Sequence, residues 1–233
     1  MPLDYLLHTS STNVFLKDNL DNYKVNFSGV YTFNQTKGKG VNGSSWQCEA
    51  NKNIALSFCL NHKTMSNPID LSLWVAVVMR DWVMDILENN DVYIKWPNDI
   101  VVNEKKICGI LIEKHKEYYI IGIGLNVKQT NFNNLYTATS LFKENNLKDY
   151  NLHQLVDQLI NSFKINLSLL KAPDVLLNTY NEYLFGKNIG REFIINEKVI
   201  KGIIKEVDRD GLLNIQFNNT IERFRMKEIS FIL

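Results

Sequence analysis

Residues 93–127 decide the fold, and they read YIKWPNDIVVNEKKICGILIEKHKEYYIIGIGLNV. Runs rich in β-branched residues alternate here with the polar pairs 104–105 and 116–117, which are typical of hairpin turns. Consecutive strands joined by such short turns pair in antiparallel fashion. The predicted strands span residues 93–96, 100–103, 106–114 and 118–127.

Helices are predicted on both sides of this block. Upstream, apolar residues within 74–86 recur at spacings of three and four, which predicts one apolar helix face, with Asp70 as the helix cap. Downstream, residues 151–170 and 174–185 are predicted to be helical. The remaining predicted elements of this region are a short helix over 13–22 and strands at 30–33 and 54–60.

The chain divides into two predicted domains. Residues 1–185 are predicted to form an α+β domain with a mixed, largely antiparallel sheet backed by helices. From Lys187 onward only short strands are predicted, so residues 186–233 are expected to form a small all-β barrel. The strands predicted there span residues 191–196, 199–208, 212–217 and 221–225.

Composition excludes several classes of protein. The 233 residues carry a formal net charge of +1, so there is no broad basic field of the kind that binds nucleic acid. Cys48, Cys59 and Cys108 are odd in number and lack metal-ligand spacing, which predicts reduced thiols. The longest apolar stretch, residues 71–87, is interrupted by charges, and the N-terminus lacks a signal-peptide pattern. We therefore expect a cytoplasmic protein that does not enter the membrane.

A glycine-rich stretch lies at residues 35–46, which read QTKGKGVNGSSW. Glycine lets backbone N–H groups approach an anion closely because no Cβ intervenes, and Lys37 and Lys39 add positive charge. A phosphate or a carboxylate is the predicted guest, and a flexible surface loop is the alternative. The stretch is not a Walker loop. Although G-x-G-x-x-G matches at residues 38–43, no βαβ unit surrounds it.

Two features of the strand block also suggest a site. Pro97 ends the strand before it, so Lys95 lies near a strand terminus, where a charged group can be held rigidly. The alternative is a lysine that extends to solvent. Residues 122–126, GIGLN, place two glycines in an apolar strand and leave a groove for a flat apolar ligand. A bulge or close helix packing is the alternative there.

Taken in order, these segments resemble the biotin–protein ligase family. KWPND at residues 95–99 is the family's motif without change, and residues 106–113 follow its K-x-x-G-I-L-x-E. Residues 35–46 resemble its Q-T-A-G-R-G-R-x-G-R-x-W loop. The resemblance covers nearly the whole chain. Its remaining matches are S-T-N at residues 11–13, N-L-x-x-S at 53–57 and G-I-G-I-N at 122–126.

The resemblance implies a fold and an activity. The fold is a catalytic domain like that of class II aminoacyl-tRNA synthetases, followed by an SH3-like barrel. The activity is a ligase that uses ATP and Mg²⁺ to convert biotin to biotinyl-5'-AMP and then transfers biotin to a lysine of a biotin carboxyl carrier domain. Ten residues precede Ser11, too few for a DNA-binding winged helix, so no repressor activity and no DNA partner are expected. A homodimer through the main sheet is compatible with the family.

The resemblance also assigns roles to residues. Lys95 is predicted to bridge the biotin carboxylate and the α-phosphate, and Lys39 is the second predicted catalytic residue. Lys39, Val41 and Ser44 replace loop arginines of the family, which changes the contacts to phosphate. The predicted biotin-binding residues are Ser11, Thr12, Asn13, Gln35, Gly38, Lys39, Ser57, Lys95, Gly109, Gly122 and Gly124. The predicted residues for ATP and the adenylate are Gly38, Lys39, Gly40, Val41, Trp46, Lys95 and Asn126, and Asn126 is also the candidate contact for Mg²⁺.

Two other functions stay open at this point. A lipoate ligase or octanoyltransferase of the same superfamily also places a lysine near an acyl carboxylate, but KWPND and the glycine-rich stretch favour biotin. The other alternative is a non-catalytic module that binds a ligand or nucleic acid through the C-terminal barrel. The presence of Lys95 and the near-neutral charge argue against it.

Overall fold

The computed structural model describes residues 3–65, 67–88, 91–132 and 137–232. The chain forms two larger sheets, a small hairpin and five α-helices within these residues. The strands are β1 (Asp4–Tyr5), β2 (Gly29–Thr32), β3 (Gly38–Lys39), β4 (Ser45–Trp46), β5 (Asn53–Asn61), β6 (Val92–Lys95), β7 (Asp99–Val102), β8 (Lys105–His115), β9 (Tyr118–Asn126), β10 (Gly190–Ile195), β11 (Lys198–Val207), β12 (Leu213–Phe217), β13 (Thr220–Phe224) and β14 (Ser230–Phe231). The helices are α1 (Thr12–Asp18), α2 (Pro68–Leu87), α3 (Leu141–Glu144), α4 (Leu152–Ile165) and α5 (Pro173–Glu182).

The main sheet has seven strands in the order β1-β2-β5-β9-β8-β7-β6. All its pairs are antiparallel except β1 with β2, which is parallel. The four strands predicted between residues 93 and 127 are present within one or two residues of their predicted bounds. The predicted α+β class, a mixed sheet backed by helices, is confirmed.

Helices α2 and α4 cover one face of the main sheet. The contact is apolar: the ring of Phe163 on α4 lies 5.0 Å from that of Phe58 on β5 and 5.2 Å from that of Trp74 on α2. All three side chains are fully buried. Truncating one of these aromatic residues to alanine costs about 3–5 kcal/mol of stability. This layer supports the sheet from behind. On the opposite face α1 packs against β5 and β9, and the part that α1 leaves uncovered can form a site.

The prediction for the start of α2 was wrong. Asn67, not Asp70, caps the helix, and its Oδ1 accepts a hydrogen bond from Ile69 N at 3.0 Å. Pro68 occupies the first helical position, where its fixed φ suits the helix and its missing N–H costs nothing. Asp70 lies in the first turn, where its carboxylate faces the positive end of the helix dipole.

Three short elements were not predicted, one in a stretch expected to be a loop and two in stretches expected to be continuous helix. The glycine-rich stretch contains the hairpin β3–β4, whose ends are joined through a 3₁₀ turn at Val41–Gly43. The first helix stops at Asp18, and a separate 3₁₀ turn follows at Leu20–Asn22. The predicted helix over 151–170 ends at Ile165, and a 3₁₀ segment follows at Asn166–Lys171. In each of these places the intrinsic secondary-structure propensity of the sequence is weak, so tertiary packing decides the backbone conformation.

The C-terminal residues form a five-stranded antiparallel sheet in the order β13-β12-β11-β10-β14. It packs directly on the larger part of the chain: Trp96 Nε1 donates to Gly211 O at 3.1 Å. The side-chain amide of Asn181 on α5 makes two hydrogen bonds with the backbone of Val207 on β11. Asn181 Nδ2 donates to Val207 O at 2.8 Å, and Asn181 Oδ1 accepts from Val207 N at 2.7 Å. One buried apolar cluster includes residues of both sheets. The domain boundary after residue 185 therefore stays a prediction, as does the SH3-like description.

Two predictions from composition can be compared with the structure. Cys48, Cys59 and Cys108 are all free thiols, as predicted. In the part of the chain that the structure describes, no helix is both long and apolar enough to cross a lipid bilayer.

Candidate active site

Strand register lines up small residues on the sheet face opposite α2 and α4. Gly109 on β8 pairs with Gly124 on β9, which pairs with Ala55 on β5. Two residues further along the strands, Gly122 pairs with Ser57. Paired residues project from the same face, so these positions form a depression in the sheet. The depression is the floor of a cavity of about 270 Å³.

The hairpin β3–β4 forms one wall of this cavity through Trp46. A Cβ on Gly124 would lie 2.5 Å from Trp46 Cε2, and a Cβ on Gly109 would lie 3.2 Å from Trp46 Cζ3. The indole therefore rests on the glycines and occupies part of the groove that the sequence predicted. Its Nε1 is buried and has no hydrogen-bond partner among the described residues. The floor and this ring provide a flat apolar surface that a ligand can share.

Polar side chains gather at one end of the cavity. Thr12 N donates to Gln35 Oε1 at 2.9 Å. Ser57 Oγ lies 2.7 Å from Thr12 Oγ1 and 2.6 Å from Asn13 Oδ1. The carboxamide of Asn13 fits above Gly122 because glycine has no Cβ. A Cβ at this position would lie 2.2 Å from Asn13 Oδ1. These residues form one connected hydrogen-bond network beside the floor.

A charged pair lies at the other side of the floor. Lys106 Nζ is 2.6 Å from Asp99 Oδ1. Asp99 Oδ1 is buried and makes no hydrogen bond of normal geometry among the described residues, so the contact is an ion pair. The Lys106 ammonium also lies 5.7 Å from the Trp46 ring centre and 3.2 Å from the place of a Cβ on Gly109. A positive charge thus stands directly over the floor.

A β-bulge accounts for the position of Lys106. Ile100 on β7 pairs with Cys108, but Val101 pairs with Lys106, so the register shifts between these two pairs. Without the shift, strict alternation would point Lys106 away from the face that carries Gly109. Bulges re-aim side chains in this way, often next to active sites.

Lys95 lies outside the cavity wall. Register places it beside Asp99, one strand further from the floor, and its Nζ is 5.3 Å from the ring centre of Phe231. Burial lowers the pKa of the Lys95 ammonium; the charge of Asp99 opposes this shift and that of Lys106 adds to it. The structure therefore places Lys106, rather than Lys95, at the cavity. Sequence reasoning missed this role, although Lys106 opens the quoted K-x-x-G-I-L-x-E segment.

The other predicted site residues fall into two groups. Most line the cavity, and Lys39 does so as an exposed side chain at its mouth. The predicted residues that line it are Ser11, Thr12, Asn13, Gln35, Lys39, Gly40, Val41, Trp46, Gly109, Gly122 and Gly124. Those that stand behind or beside the wall are Gly38, Ser57, Lys95 and Asn126. Cavity residues that were not predicted include Asn98, Asp99, Lys106 and Met226.

Comparison with known proteins decides the family. A model of the Biotin/lipoate A/B protein ligase family matches residues 5–126, which is more than half of the chain. The chain belongs to this family. The matched residues of the chain include the whole cavity floor and both strands of the hairpin above it.

Three relatives are named as ligases, and two of them are named as biotin ligases. The chain is 26% identical to the bifunctional ligase/repressor BirA of Escherichia coli over 230 residues, which cover 94% of this chain and 71% of that protein. It is 29% identical over 135 residues to the biotin–[acetyl-CoA-carboxylase] ligase of Mycobacterium tuberculosis, covering 54% of this chain and 50% of that one. The biotin protein ligase of Aquifex aeolicus, solved in complex with biotin and ATP, superposes with a TM-score of 0.83 at 25% identity, covering 98% of this chain and 97% of that chain.

Mg²⁺ was predicted to accompany ATP, with Asn126 as the candidate contact. Among the described residues, no three His, Cys, Asp or Glu side chains cluster closely enough to hold a metal. Mg²⁺ needs few protein ligands because it retains several waters. Asn126 is 4% exposed and its Nδ2 donates to Thr139 O at 2.9 Å, so its amide is engaged away from the cavity. Asp99 is the carboxylate at the cavity wall.

Proposed function

We propose that this chain is a biotin–protein ligase. It joins biotin and ATP to form biotinyl-5'-AMP and pyrophosphate, and then transfers the biotinyl group to the ε-amine of a lysine on a biotin carboxyl carrier domain. One observation carries the proposal: the cavity has hydrogen-bonding side chains near Ser57 and an ammonium beside Asp99, separated by a floor of small residues. Biotin has the matching form, with a polar ring at one end and a carboxylate at the other.

The dimensions of the floor agree with a ligand lying across the sheet. Ser57 is on β5 and Asp99 is on β7, with β9 and β8 between them. Neighbouring strands lie ~4.8 Å apart, so these positions are about 14 Å apart across the sheet. The Trp46 indole covers the middle of this path and can pack against the apolar part of the ligand.

The first reaction joins two anions. A carboxylate oxygen of biotin forms a bond to the α-phosphorus of ATP, and the bond from that phosphorus to the pyrophosphate oxygen breaks. Lys106 is placed to lie between the carboxylate and the phosphate and to offset their repulsion. A preorganised charge of this kind contributes about 10²–10³ in rate. Bound Mg²⁺ supplies further neutralisation of the triphosphate.

The second reaction makes the amide. The neutral amine of the acceptor lysine attacks the acyl carbon, a C–N bond forms, and AMP leaves with the electrons of the broken C–O bond, while the amine loses its proton. The mixed anhydride between these steps is easily hydrolysed, so water must be kept out. The hairpin β3–β4, with Lys39, Gly40 and Val41 at the cavity, is positioned to cover it.

Lys95 has a different place in this proposal from the one that the sequence suggested. It stands beyond Asp99, so its charge acts on the site at longer range than that of Lys106. Lys39 is exposed at the mouth, where it can reach a phosphate entering from solvent. We assign the bridging role to Lys106 and supporting roles to the other two lysines.

A lipoate ligase is the second candidate, because the family includes lipoate ligases. The polar network around Thr12 and Ser57 favours biotin. A cyclic urea offers two N–H donors and a carbonyl acceptor to that network, whereas the dithiolane ring of lipoate offers none. Burying unpaired polar groups against such a ring would cost about 1–3 kcal/mol each.

The direct test is incubation with ATP, Mg²⁺ and either biotin or lipoate, followed by mass spectrometry of the nucleotide products. Biotinyl-AMP from the wild-type chain, and its loss in Lys106→Met, is the expected result. Formation of lipoyl-AMP without biotinyl-AMP would favour the second candidate. Absence of both adenylates from the folded protein would rule out ligase activity.

A further inference from the structure

A charged pair lies behind the polar end of the cavity without lining it. Lys17 on α1 forms an ion pair with Glu113 Oε1 on β8. The other oxygen, Glu113 Oε2, accepts a hydrogen bond from Asn13 Nδ2 at 2.8 Å. Asn13 lines the cavity, whereas Lys17 and Glu113 do not. The pair therefore touches the cavity through the Asn13 carboxamide.

Glu113 fixes which way round the Asn13 carboxamide stands. An ionised carboxylate only accepts hydrogen bonds, so the end of the amide that faces Glu113 must be the NH₂ group. That group also lies 3.4 Å from Leu111 O, another acceptor. The carbonyl Oδ1 must then point to the opposite side, where it lies 2.6 Å from Ser57 Oγ.

This orientation determines the direction of the next two hydrogen bonds. Because Asn13 Oδ1 can only accept, the single hydroxyl proton of Ser57 is donated to it. A hydroxyl has one proton, so Ser57 cannot also donate across its 2.7 Å contact with Thr12 Oγ1, and the proton of that contact comes from Thr12. Gln35 Oε1 is a weaker acceptor for that proton, since it lies 3.2 Å away and already accepts from Thr12 N. A lone pair of Thr12 Oγ1 is left to face the cavity.

We infer that Lys17 and Glu113 are positioning residues that make Thr12 a hydrogen-bond acceptor for a ring N–H of a cyclic urea. The inference rests on the proposed function for the identity of the ligand. It names residues outside the cavity as determinants of biotin recognition: the charge on Glu113 sets Asn13, Asn13 sets Ser57, and Ser57 sets Thr12. A ligand with no N–H at this point gains nothing from the arrangement.

The charges in the pair keep the relay in one direction at neutral pH. Burial by itself raises the pKa of Glu113, but hydrogen bonds from Lys17 and Asn13, together with the charge of Lys17, outweigh it and lower that pKa. Glu113 therefore stays an acceptor. A neutral carboxamide at this position could donate to Asn13 instead, which would allow Asn13 to turn over and Thr12 to present its proton to the ligand.

Glu113→Gln is the primary test, because it keeps the shape and removes the charge. We expect the Kd for biotin to rise about 10-fold, as for the loss of one hydrogen bond to a ligand. The KM for ATP is expected to stay within about twofold, since the phosphate end is on the other side of the floor. Lys17→Met should have the same effect as Glu113→Gln, and Lys17→Arg should retain near-normal binding because it keeps the charge.

Asp21→Asn is the matched control. Asp21 forms a 2.7 Å ion pair with Lys24 away from the cavity, and its loss should leave the Kd for biotin unchanged. The double variant Lys17→Met/Glu113→Gln should bind biotin no more weakly than Glu113→Gln alone, because both changes break one relay. Full additivity of the two effects, or equal weakening of biotin and ATP binding, would overturn the positioning role.

The outcomes separate this inference from the proposed function. Wild-type protein that does not bind biotin contradicts the function itself. Wild-type protein that binds biotin, together with a folded Glu113→Gln variant that binds it equally well, contradicts only the relay.

Discussion

Lys106 Nζ lies 2.6 Å from Asp99 Oδ1, with the two residues on neighbouring strands of the main sheet. The β-bulge between the pairs Ile100–Cys108 and Val101–Lys106 brings the lysine to the face that carries Gly109. Asp99 in turn is the register partner of Lys95. One carboxylate therefore stands between two lysines, of which only Lys106 reaches the cavity.

Lys106→Met should lower the rate of biotinyl-AMP formation about 10²–10³-fold, because the variant loses the charge that offsets the repulsion of two anions. Lys95→Met should lower it far less. The adjacent and exposed Lys105 provides the control, and Lys105→Met should be close to wild type. Biotin-dependent exchange of pyrophosphate into ATP measures this step. A Lys95→Met variant that is inactive beside an active Lys106→Met variant would restore the assignment made from sequence.

Much of the main sheet could be predicted because the sequence patterns that indicate its strands and turns are local. Alternating apolar runs and polar pairs gave β6 to β9 within one or two residues, since each hairpin depends on residues close in sequence. The floor could not be predicted in the same way. The pairing of Gly124 with Ala55 joins residues far apart in the chain, and its register depends on the whole sheet.

In the candidate site, too, local motifs could be predicted from the sequence and contacts between distant segments could not. The segments 11–13, 35–46 and 122–126 all contribute to the cavity, as motif spacing suggested. Lys106 was missed because a bulge overrides the alternation from which side-chain direction is read. Trp46 was predicted to contact ATP or the adenylate, and that stays a prediction. Its indole lies on Gly109 and Gly124, a contact between segments that no local pattern reveals.

Gly124→Ala should weaken biotin binding about 10-fold with little loss of stability. The added methyl would lie 2.5 Å from Trp46 Cε2, so the indole must move off the floor and the apolar wall of the cavity is lost. Gly190→Ala is the control, because a Cβ there meets nothing within 4 Å. Calorimetric titration with biotin and thermal unfolding measure the two effects. Unchanged biotin affinity in Gly124→Ala would place the ligand elsewhere.

Asn181→Ala should lower the free energy of unfolding by about 2–4 kcal/mol. Its side chain pairs with both the N–H and the C=O of Val207, and the substitution leaves these two buried groups unpaired. Asn178→Ala on the same helix changes an exposed residue and should cost less than about 1 kcal/mol. Urea denaturation measures both. Equal stability of the two variants would mean that the C-terminal sheet is not anchored through Asn181.

Tyr23→Phe should change how stability depends on alkaline pH. The Tyr23 hydroxyl donates to Asp4 Oδ2 at 2.6 Å, and burial, followed by this hydrogen bond and the Asp4 charge, raises the pKa of Tyr23 to about 12. In the unfolded chain a tyrosine ionises near its ordinary pKa of about 10. The folded state holds the proton more tightly, so its contribution to stability is complete below about pH 10 and is lost as the pH rises towards 12.

The difference between wild type and Tyr23→Phe isolates this group, because the other tyrosines and the lysines titrate in both proteins. Near neutral pH the variant should be less stable by about 1 kcal/mol, the value of one hydrogen bond. The difference should shrink as the pH rises from about 10, since only the wild type loses stability through the Tyr23 phenol. Urea denaturation at a series of pH values measures it. A difference that stays constant up to pH 12 would show that Tyr23 titrates alike in the folded and unfolded chain.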